Sequence, residues 1–205
     1  AAAGDGEVQL QVPVAVPRQR GHPVRRPHIQ RRQRVGHLPG APVRQYSLCG
    51  DPDDRACWRI AVREVAGGRV SGLVHKALRV GALVEAEGPR NNFPLLPSPS
   101  YLFIAGGIGI TPILPMLRAA QRAGARSTLL FCAKRTEDAP FLAEARAMAE
   151  VAMHCSAEGT RLDVAAALAA VRPGTMVYCC GPEALMTAVE AATAEERDRR
   201  EPRRH

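Results

Sequence analysis

A glycine-rich stretch at residues 101–117, YLFIAGGIGITPILPML, has the residue types and spacing that could hold a phosphate group. Four apolar residues open it, which is typical of a strand buried on both faces. Gly106, Gly107 and Gly109 follow, and glycines let the backbone approach a ligand closely. The stretch therefore predicts a strand that ends in a turn suited to close backbone contact.

A helix should begin directly after this turn. Thr111 fits the N-cap position and Pro112 the first helical position, so we expect a helix from there toward Ala123. Unpaired amide donors and the positive end of the helix dipole would then point at an anion such as a pyrophosphate. The spacing G-G-x-G-x-T-P is not the G-x-G-x-x-G of the common dinucleotide fingerprint, so a tight connection without a ligand is the alternative interpretation.

Strands and helices alternate through this part of the chain, which predicts a parallel sheet with right-handed crossovers. The expected strands lie at 101–105, 127–132, 149–155 and 175–180, and the expected helices at about 111–123, 138–149, 163–171 and 183–192, the last with Pro182 at its first position. Ligands bind at the carboxyl ends of such strands. We therefore expect the turn at 106–111 and the turn at 180–182 on one edge of the sheet, which favours a nucleotide site.

Residues 41–97 have a different pattern, rich in short strands. VRQYSL at 43–48 and ALVEAEGP at 82–89 predict strands, and the alternation around Trp58, Ile60 and Val62 predicts a half-buried antiparallel strand. VSGLVHKAL at 70–78 predicts a short helix. The proline-broken segment LLPSPS predicts a boundary near 95–100, so we divide the chain into a strand-rich domain at 41–97 and an α/β domain at 98–194.

The first 40 residues are basic and atypical. They hold seven arginines against Asp5 and Glu7, a net charge of +5 out of +8 for the whole chain. Apolar alternation between Val8 and Val16 predicts one strand, whereas 17–36 has almost no apolar periodicity and predicts a disordered basic arm. The basic excess is not interleaved with aromatic residues, so nucleic-acid binding is a minor alternative and we expect no nucleic-acid partner.

Composition excludes several other classes of protein. No apolar run reaches the roughly 18 residues of a membrane helix and there is no signal-peptide core, so we expect a cytoplasmic protein that does not bind membranes. The six cysteines show neither paired metal spacing nor a disulfide framework. We therefore expect reduced thiols and no metal site.

Three motifs in order resemble those of the ferredoxin-reductase superfamily: RQYS at 44–47, GGIGITP at 106–112 and YCCGP at 178–182. The longer stretches RQYSLCGDP, GPRNNFPL and YLFIAGGIGITPILPM resemble one branch of it, that of phthalate dioxygenase reductase and vanillate demethylase reductase. The order and spacing of these blocks match that family over about 41–193.

The resemblance implies an antiparallel β-barrel flavin domain, incomplete at its N-terminus, followed by an α/β parallel-sheet domain that binds NAD(P)H. In this branch the flavin is FMN, whereas most of the superfamily uses FAD. By resemblance, Arg44 would contact the flavin phosphate, Tyr46 would pack on the ring and ribityl chain, and Ser47 would lie near flavin N5. Three residues at the start of the short helix would bind the same phosphate: Val70, Ser71 and Gly72. On the residues alone, Arg44 would be a surface charge and Tyr46 a core residue.

The resemblance also assigns residues to the nicotinamide nucleotide. Its pyrophosphate would lie on the glycine-rich turn, at Gly106, Gly107, Gly109 and Thr111. Cys180 would line the site of hydride transfer, with Gly181 and Pro182 shaping the approach, so that Ser47 and Cys180 are the residues nearest the chemistry. Lys134 and Arg135 could bind a 2′-phosphate and favour NADPH, or they could form a solvated loop. The resemblance favours NADH.

Three departures from the family shape the expected function. Members carry a C-terminal ferredoxin domain with a C-x4-C-x2-C…C run, which the cysteines of this chain do not form, so we expect no [2Fe–2S] cluster here. Residues 17–36 and the charged tail at 195–205 do not resemble the family, and out-of-frame translation is one hypothesis for both. We expect the reductase component of an aromatic-ring oxygenase or demethylase system, passing hydride from NADH to FMN and electrons to a separate iron–sulfur protein or terminal oxygenase. The alternative is an inactive nucleotide-binding remnant with an incomplete flavin barrel.

Overall fold

The structure, a computed structural model, describes residues 7–13, 32–35, 44–54, 56–80, 82, 84 and 86–200. These residues fall into two compact units. The first comprises residues up to 95 together with 114–119, and the second comprises 96–113 and the residues from 120 onward. The change of unit between residues 95 and 96 lies in the proline-broken segment LLPSPS.

The first unit is built from short antiparallel strands. Its described elements are β1 (Glu7–Pro13), β2 (Arg32–Val35), β3 (Arg44–Ser47), β4 (Cys57–Arg63), α1 (Arg69–Ala77) and β5 (Ala86–Arg90). β1 pairs with β4, and a second sheet has the order β3-β2-β5. In the described residues these are two small sheets, so the closed flavin barrel remains a prediction.

Two strands of this unit come from the atypical N-terminal segment. β1 confirms the expected strand over Glu7–Pro13, while residues 14–16 lie outside the described residues. The expectation of a disordered arm at 17–36 is wrong for Arg32–Val35, which form the central strand of the three-stranded sheet. Backbone pairing with β3 and β5 needs no apolar periodicity, because the ladder uses main-chain groups. The rest of 17–36 lies outside the described residues.

The strand predicted at 82–89 begins later, at Ala86, and continues through Pro89 to Arg90. Residues 82 and 84 lie outside it. β5 is an edge strand of its sheet, where a proline is tolerated because one side of the backbone needs no partner. The pairing of β2 with β5 also shifts register between Arg32 and Arg34.

The core of the first unit joins β4 to α1. Ile60 and Val62 of β4 and Val74 of α1 are buried together, and four half-buried side chains pack against them: Tyr46, Leu48, Val70 and Leu78. A ring nitrogen of His75, Nε2, lies 2.9 Å from the carbonyl oxygen of Val62 and ties α1 to the same strand. This contact and this core fix α1 against the sheet.

The second unit is a parallel sheet with helical connections, as predicted. Its strands are β6 (Ser100–Gly106), β7 (Arg126–Ala133), β8 (Glu150–Cys155) and β9 (Met176–Cys180), in the order β8-β7-β6-β9. The helices are α2 (Ile110–Arg122), of which residues 114–119 belong to the first unit, α3 (Leu142–Arg146), α4 (Val164–Ala169) and α5 (Glu183–Arg200). Among the described residues, no helix has both the length and the apolar character to cross a membrane.

One face of this sheet packs on α4 and α5. Leu102 and Ile104 of β6, Leu168 of α4 and Val189 of α5 are buried in one cluster. Asp163 begins α4 as predicted, since its side chain accepts a hydrogen bond of 2.9 Å from the amide of Ala166. The apolar run of β6 is thus explained by burial along its whole length from Tyr101 to Gly106.

Two helices differ from their predicted extents. The helix expected at 138–149 is only Leu142–Arg146 and follows a 3₁₀ turn at Thr136–Asp138. Pro140 disfavours helical geometry at the preceding residue, Ala139, and Phe141 has a left-handed φ of 57°. The helix therefore starts later than the alanine-rich composition of 138–149 predicted. α5 extends to Arg200, eight residues beyond the predicted 183–192, and so continues into the charged tail.

Two tyrosine hydroxyls hold the segment that leads into β6. The Tyr101 hydroxyl donates to the carbonyl of Leu96 and accepts from the amide of Ser98, both at 2.8 Å. The Tyr178 hydroxyl accepts from the amide of Leu96, also at 2.8 Å. The two rings lie 6.2 Å apart and each is close to Phe103, at 5.5 and 5.8 Å between centroids. Both residues are more than nine-tenths buried, so these bonds are shielded from water.

We expect Tyr178→Phe to speed hydrogen exchange at the Leu96 amide, and Tyr101→Phe to speed it at the Ser98 amide. Each hydroxyl should contribute about 1 kcal/mol per hydrogen bond to the free energy of unfolding. Amide exchange followed by NMR tests both variants, each serving as the control for the other. Equal exchange at both amides in both variants would contradict this anchoring role.

Candidate functional site

The two predicted turns lie on one edge of the parallel sheet. β6 is flanked by β7 on one side and β9 on the other, with Ala105 in register with Cys180 and Gly106 in register with Cys132. The chain passes from β6 outward to β7 and β8 and then returns to the opposite side of β6. The strand order therefore reverses between β6 and β9, which is where such sheets bind their ligands. The expectation that both turns share this edge is confirmed.

The turns touch backbone to backbone, which explains the glycines. A Cβ atom at Gly109 would lie 2.6 Å from the carbonyl carbon of Cys180 and 2.8 Å from the Cα of Gly181. A Cβ at Gly106 would meet the ring of Pro182 at 2.5 Å, and one at Gly181 would lie 3.0 Å from the nitrogen of Gly106. Real Cβ atoms essentially never approach other atoms closer than 3.0 Å. Larger side chains would push the turns apart.

α2 begins earlier than predicted, and Thr111 does not cap it. A 3₁₀ turn at Gly107–Gly109 runs directly into α2, whose first residue is Ile110. The Thr111 hydroxyl donates to the carbonyl of Ile108 at 2.9 Å instead of accepting from an amide. Because the glycines already continue the turn, Thr111 lies inside the first turn of the helix and stabilises it from there. Thr111 is 6 % exposed.

The surroundings of the α2 N-terminus fit an anionic ligand. Gly107 has a positive φ of 51°, and beyond its own local backbone nothing lies within 4 Å of the place where its Cβ would be. There is no acidic residue in the first turn of α2, whereas α5 has Glu183 in its first turn. Pro182 was predicted to be the first residue of α5 but lies immediately before it, and its carbonyl accepts from the amides of Leu185 and Met186. Of these two helix N-termini, α2 offers the more favourable field for a pyrophosphate.

The thiols of this unit are suited to packing. Cys180 is half-buried at the carboxyl end of β9. Burial, with smaller contributions from neighbouring Cys180, Cys132 and Glu190, raises the pKa of Cys179 to about 11. Burial and neighbouring Cys155 raise the pKa of Cys132 to about 11 as well. Near pH 7, Cys132 and Cys179 therefore stay protonated and do not act as nucleophiles.

A carboxylate that was not predicted from the sequence lies at the same sheet edge. The Glu158 carboxylate accepts from the amide of Thr136 at 2.7 Å and from its hydroxyl at 3.0 Å. These bonds join the 3₁₀ turn after β7 to the 3₁₀ turn after β8. The hydrogen bond from the Thr136 backbone amide is the main reason why the pKa of Glu158 is lowered. The hydrogen bond from the Thr136 hydroxyl and the charge of Arg135 lower it further. An acidic residue in a loop gives no sequence signal for such a partner.

In the first unit, the structure brings two of the predicted flavin residues onto one side of β3. Arg44 is exposed and Tyr46 is half-buried against the core of β4 and α1. Burial raises the pKa of Tyr46, and the charge of Arg44 partly opposes this shift. Ser47 is half-buried and follows Tyr46 directly, so its side chain alternates to the other face of the strand.

The start of α1 carries the other predicted flavin contacts. Val70 packs on the same core as Tyr46, and no atom lies within 4 Å of the Cβ position of Gly72. The Ser71 hydroxyl accepts from the amide of Val65 at 3.1 Å and so closes the turn before the helix. There is no acidic residue in the first turn of α1, which suits a phosphate. His75, which ties α1 to β4, was not predicted because a lone histidine in a helix gives no signal of its partner.

The chain matches known reductases over much of its length. Residues 103–191 match the family model described as oxidoreductase NAD-binding domain. The chain is 41% identical over 154 residues to the carnitine monooxygenase reductase subunit of Escherichia coli, covering 73% of this chain and 48% of that protein. It is 40% identical over 181 residues to the vanillate O-demethylase oxidoreductase of a Pseudomonas species, covering 80% of this chain and 56% of that protein. The chain thus spans about half the length of these curated relatives.

A solved structure agrees with these sequence matches. The solved structure of phthalate dioxygenase reductase superposes with a TM-score of 0.71 at 34% identity, covering 80% of this chain and 53% of that one. This similarity supports the ferredoxin-reductase type of fold.

Gly109→Ala should disrupt the contact between the turns, because the added methyl group would displace the Cys180 carbonyl. We expect a loss of at least about 2 kcal/mol in the free energy of unfolding, together with weaker NAD⁺ binding. Gly107→Ala is the matched control: it has room for the methyl group and should cost only about 1 kcal/mol, from its positive φ. Urea unfolding and calorimetric NAD⁺ titration measure both variants. Equal stability of the two would contradict the steric account.

The lowered pKa of Glu158 predicts a pH dependence of stability. A carboxyl with a depressed pKa in the folded state stabilises the protein above its ordinary pKa, near 4.5, and this contribution is lost as the pH falls through the folded-state pKa. The difference in unfolding free energy between the wild type and Glu158→Gln should therefore shrink toward low pH. Thr136→Val, which removes the hydroxyl donor, should weaken this dependence. A difference that is constant from pH 7 to pH 3 would contradict it.

The sequence motifs, the parallel sheet and the glycine turn agree with the matched proteins. The expected resemblance to oxygenase reductases is confirmed, with about three quarters of the chain aligned to each of several such relatives. Over the part of their length that it spans, this chain is homologous to oxygenase reductase subunits, among them vanillate O-demethylase oxidoreductase and phthalate dioxygenase reductase.

Proposed function

We propose that this chain is a flavin-dependent NAD(P)H oxidoreductase that acts as the reductase component of an aromatic-ring oxygenase or demethylase system. The observation that carries the proposal is the backbone contact between Gly109 and the Cys180–Gly181 turn, beside a helix N-terminus without acidic residues. Relatives named as reductase subunits of oxygenase systems support it.

The dinucleotide would bind at the carboxyl edge of the parallel sheet. The amides of the turn at Gly107–Gly109 and of the first turn of α2 would donate to its pyrophosphate, with the dipole of α2 adding to the attraction. Thr111 would keep this first turn closed through its bond to Ile108. Gly106 and Gly181 would allow the close approach of the two turns that shapes the site.

The flavin would bind on the first unit, and we propose FMN in preference to FAD. Arg44 would pair with its phosphate, helped by the acid-free first turn of α1, and Tyr46 would support the ring from the core side. The Ser71 hydroxyl already accepts a hydrogen bond from the Val65 amide, so only its remaining hydrogen-bonding capacity would be available to the phosphate. His75 would keep α1 in place.

When bound, the flavin supplies the redox chemistry by accepting a hydride from the nicotinamide. The residues of this chain bind and orient the two rings. Ser47 would offer a neutral hydroxyl at flavin N5, and Cys180 would form a small neutral wall where the nicotinamide approaches. Neither residue needs to exchange a proton in this role, and orientation is the main contribution of the protein.

Electrons would pass to a separate iron–sulfur protein or to a terminal oxygenase. The similar phthalate dioxygenase reductase is described as a modular structure for electron transfer from pyridine nucleotides to [2Fe–2S]. The described residues hold no group of three or more His, Cys, Asp or Glu side chains placed to bind a metal ion. The names of relatives as reductase subunits of monooxygenase systems support the proposal of a separate acceptor protein.

An absorption spectrum of the purified protein, with added FMN where needed, tests this function. We expect oxidised-flavin bands that NADH bleaches under anaerobic conditions, and FMN on chromatography of the released cofactor. A protein that binds NAD⁺ but takes up neither FMN nor FAD would overturn the proposed reductase and support the inactive remnant.

Arg44→Gln should weaken FMN binding about tenfold or more, because a hydrogen bond to a charged group contributes about 1.5–3 kcal/mol. Arg63→Gln, at an exposed position at the end of β4, removes the same charge and is the control. Fluorescence titration with FMN compares the two dissociation constants. Equal weakening by both variants would show a general charge effect and contradict the assignment of Arg44.

A further inference from the structure

The segment that follows β3 passes from one small sheet of the first unit to the other. Ser47, the last residue of β3, is in register with Arg32 of β2. The next residue, Leu48, forms an isolated bridge with Ile60 of β4, which belongs to the sheet with β1. Ser47 therefore lies where the chain changes sheets, and the backbone that follows it helps to fix its position.

Arg59 of β4 binds both polar ends of the residue that comes next, Cys49. The amide of Cys49 donates to the carbonyl of Arg59 at 2.8 Å, and the Cys49 thiol donates to the same oxygen at 3.4 Å. In return, Nη2 of the Arg59 guanidinium donates to the carbonyl of Cys49 at 2.7 Å. Cys49 is fully buried, so these bonds are shielded from water. A charged donor at this distance forms one of the stronger kinds of hydrogen bond.

A second guanidinium reaches the same carbonyl. Nη1 of Arg118 donates to the Cys49 carbonyl at 3.4 Å. Arg118 lies on the stretch of α2 at residues 114–119 that belongs to the first unit, so the contact is made within that unit. The longer distance makes it the weaker of the two bonds.

The residue after Cys49 is packed directly against Arg59. A Cβ atom at Gly50 would lie 3.2 Å from the Cβ of Arg59 and 3.5 Å from its backbone nitrogen. A contact of 3.2 Å is tighter than nine in ten real Cβ contacts, so a side chain at Gly50 would have to displace Arg59 by a few tenths of an ångström. The bond from Arg59 to Cys49 can therefore be disturbed from either partner.

We propose that Arg59, supported by Arg118, is a positioning residue for hydride transfer to the flavin. It holds the peptide of Cys49 so that the hydroxyl of Ser47, two residues earlier, keeps its orientation toward flavin N5. This inference rests on the proposed function, in which Ser47 lies beside that atom. Both guanidinium groups act through the Cys49 carbonyl, so they are not catalytic residues. Small misplacements near reacting atoms cost large factors in rate, so loosening this peptide should slow hydride transfer more than it weakens flavin binding.

The test compares Arg59→Met and Arg118→Met with the wild type, each loaded with FMN. Methionine keeps an unbranched apolar stem and removes the donors. Arg59→Lys keeps the charge and one donor, so it should restore part of the function. Arg63→Gln is the matched control, because it removes the same charge at an exposed position of the same strand. Gly50→Ala changes no charge, and it keeps the test open if Arg59→Met folds poorly.

Two readouts are needed. The first is the anaerobic rate of flavin reduction at saturating NADH, with the KM for NADH and the dissociation constant for FMN. The second is hydrogen exchange at the Cys49 amide, which requires no turnover. We expect Arg59→Met to slow flavin reduction about tenfold, while KM and the FMN dissociation constant change less than about threefold. Exchange at the Cys49 amide should become about fivefold faster. Arg118→Met should act in the same direction but less, and Arg63→Gln should change neither readout.

A double-variant cycle shows whether Arg59 acts through Ser47. Ser47→Ala alone should slow flavin reduction, because it removes the hydroxyl. Adding Arg59→Met to Ser47→Ala should then slow it little further, because residues that act as one unit give non-additive effects. If Arg59 supported the structure only in general, the two losses would multiply.

Unchanged flavin reduction in both Arg59→Met and Gly50→Ala would overturn the inference and leave the proposed function intact, provided that NADH reduces the FMN of the wild type. Losses that multiply in the double variant would also overturn it, as would wild-type rates in Ser47→Ala. An equal loss in Arg63→Gln would show an effect of net charge and contradict it too. A wild-type protein that takes up no flavin would overturn the proposed function and the inference together.

Discussion

The contact between two backbone turns at the carboxyl edge of the parallel sheet is the constraint on which the candidate site depends. Gly109 lies so close to the Cys180 carbonyl that any side chain would separate the turns, and Gly106 and Gly181 meet under the same restriction. The contact fixes the end of β6 against the end of β9, where the strand order reverses. It therefore determines where the first amides of α2 point and which surface they offer to a ligand.

The helix N-termini at this edge of the sheet differ in the charges of their first turns. α2 and α5 both start at this edge, but only α5 has an acidic residue, Glu183, in its first turn. In the other unit, α1 likewise begins without an acidic residue, beside a strand that carries Arg44. The N-termini of α2 and α1 are therefore both free of an acidic residue in the first turn, which suits a phosphate.

Local patterns were sufficient to predict the parallel sheet, the shared edge of the two turns and the start of a helix near Asp163, because the alternation of strands and helices is visible in the local sequence. Other features depend on partners far along the chain. The strand at Arg32–Val35 is fixed by pairing with β3 and β5, and its basic side chains gave no sign of it. The bonds from Thr136 to Glu158 join residues 22 apart, and the shortened α3 follows from the unusual backbone of Phe141. Residue type alone does not encode such contacts.

The most direct test of the central claim is an NMR titration of isotope-labelled protein with ADP-ribose, which carries the pyrophosphate without the nicotinamide. The account predicts that the largest amide shifts fall on Gly107, Ile108, Gly109 and Ile110, with smaller shifts at the start of α5. Binding that shifts the amides after Glu183 most, or that leaves the glycine turn unshifted, would contradict the assignment of the pyrophosphate to the N-terminus of α2.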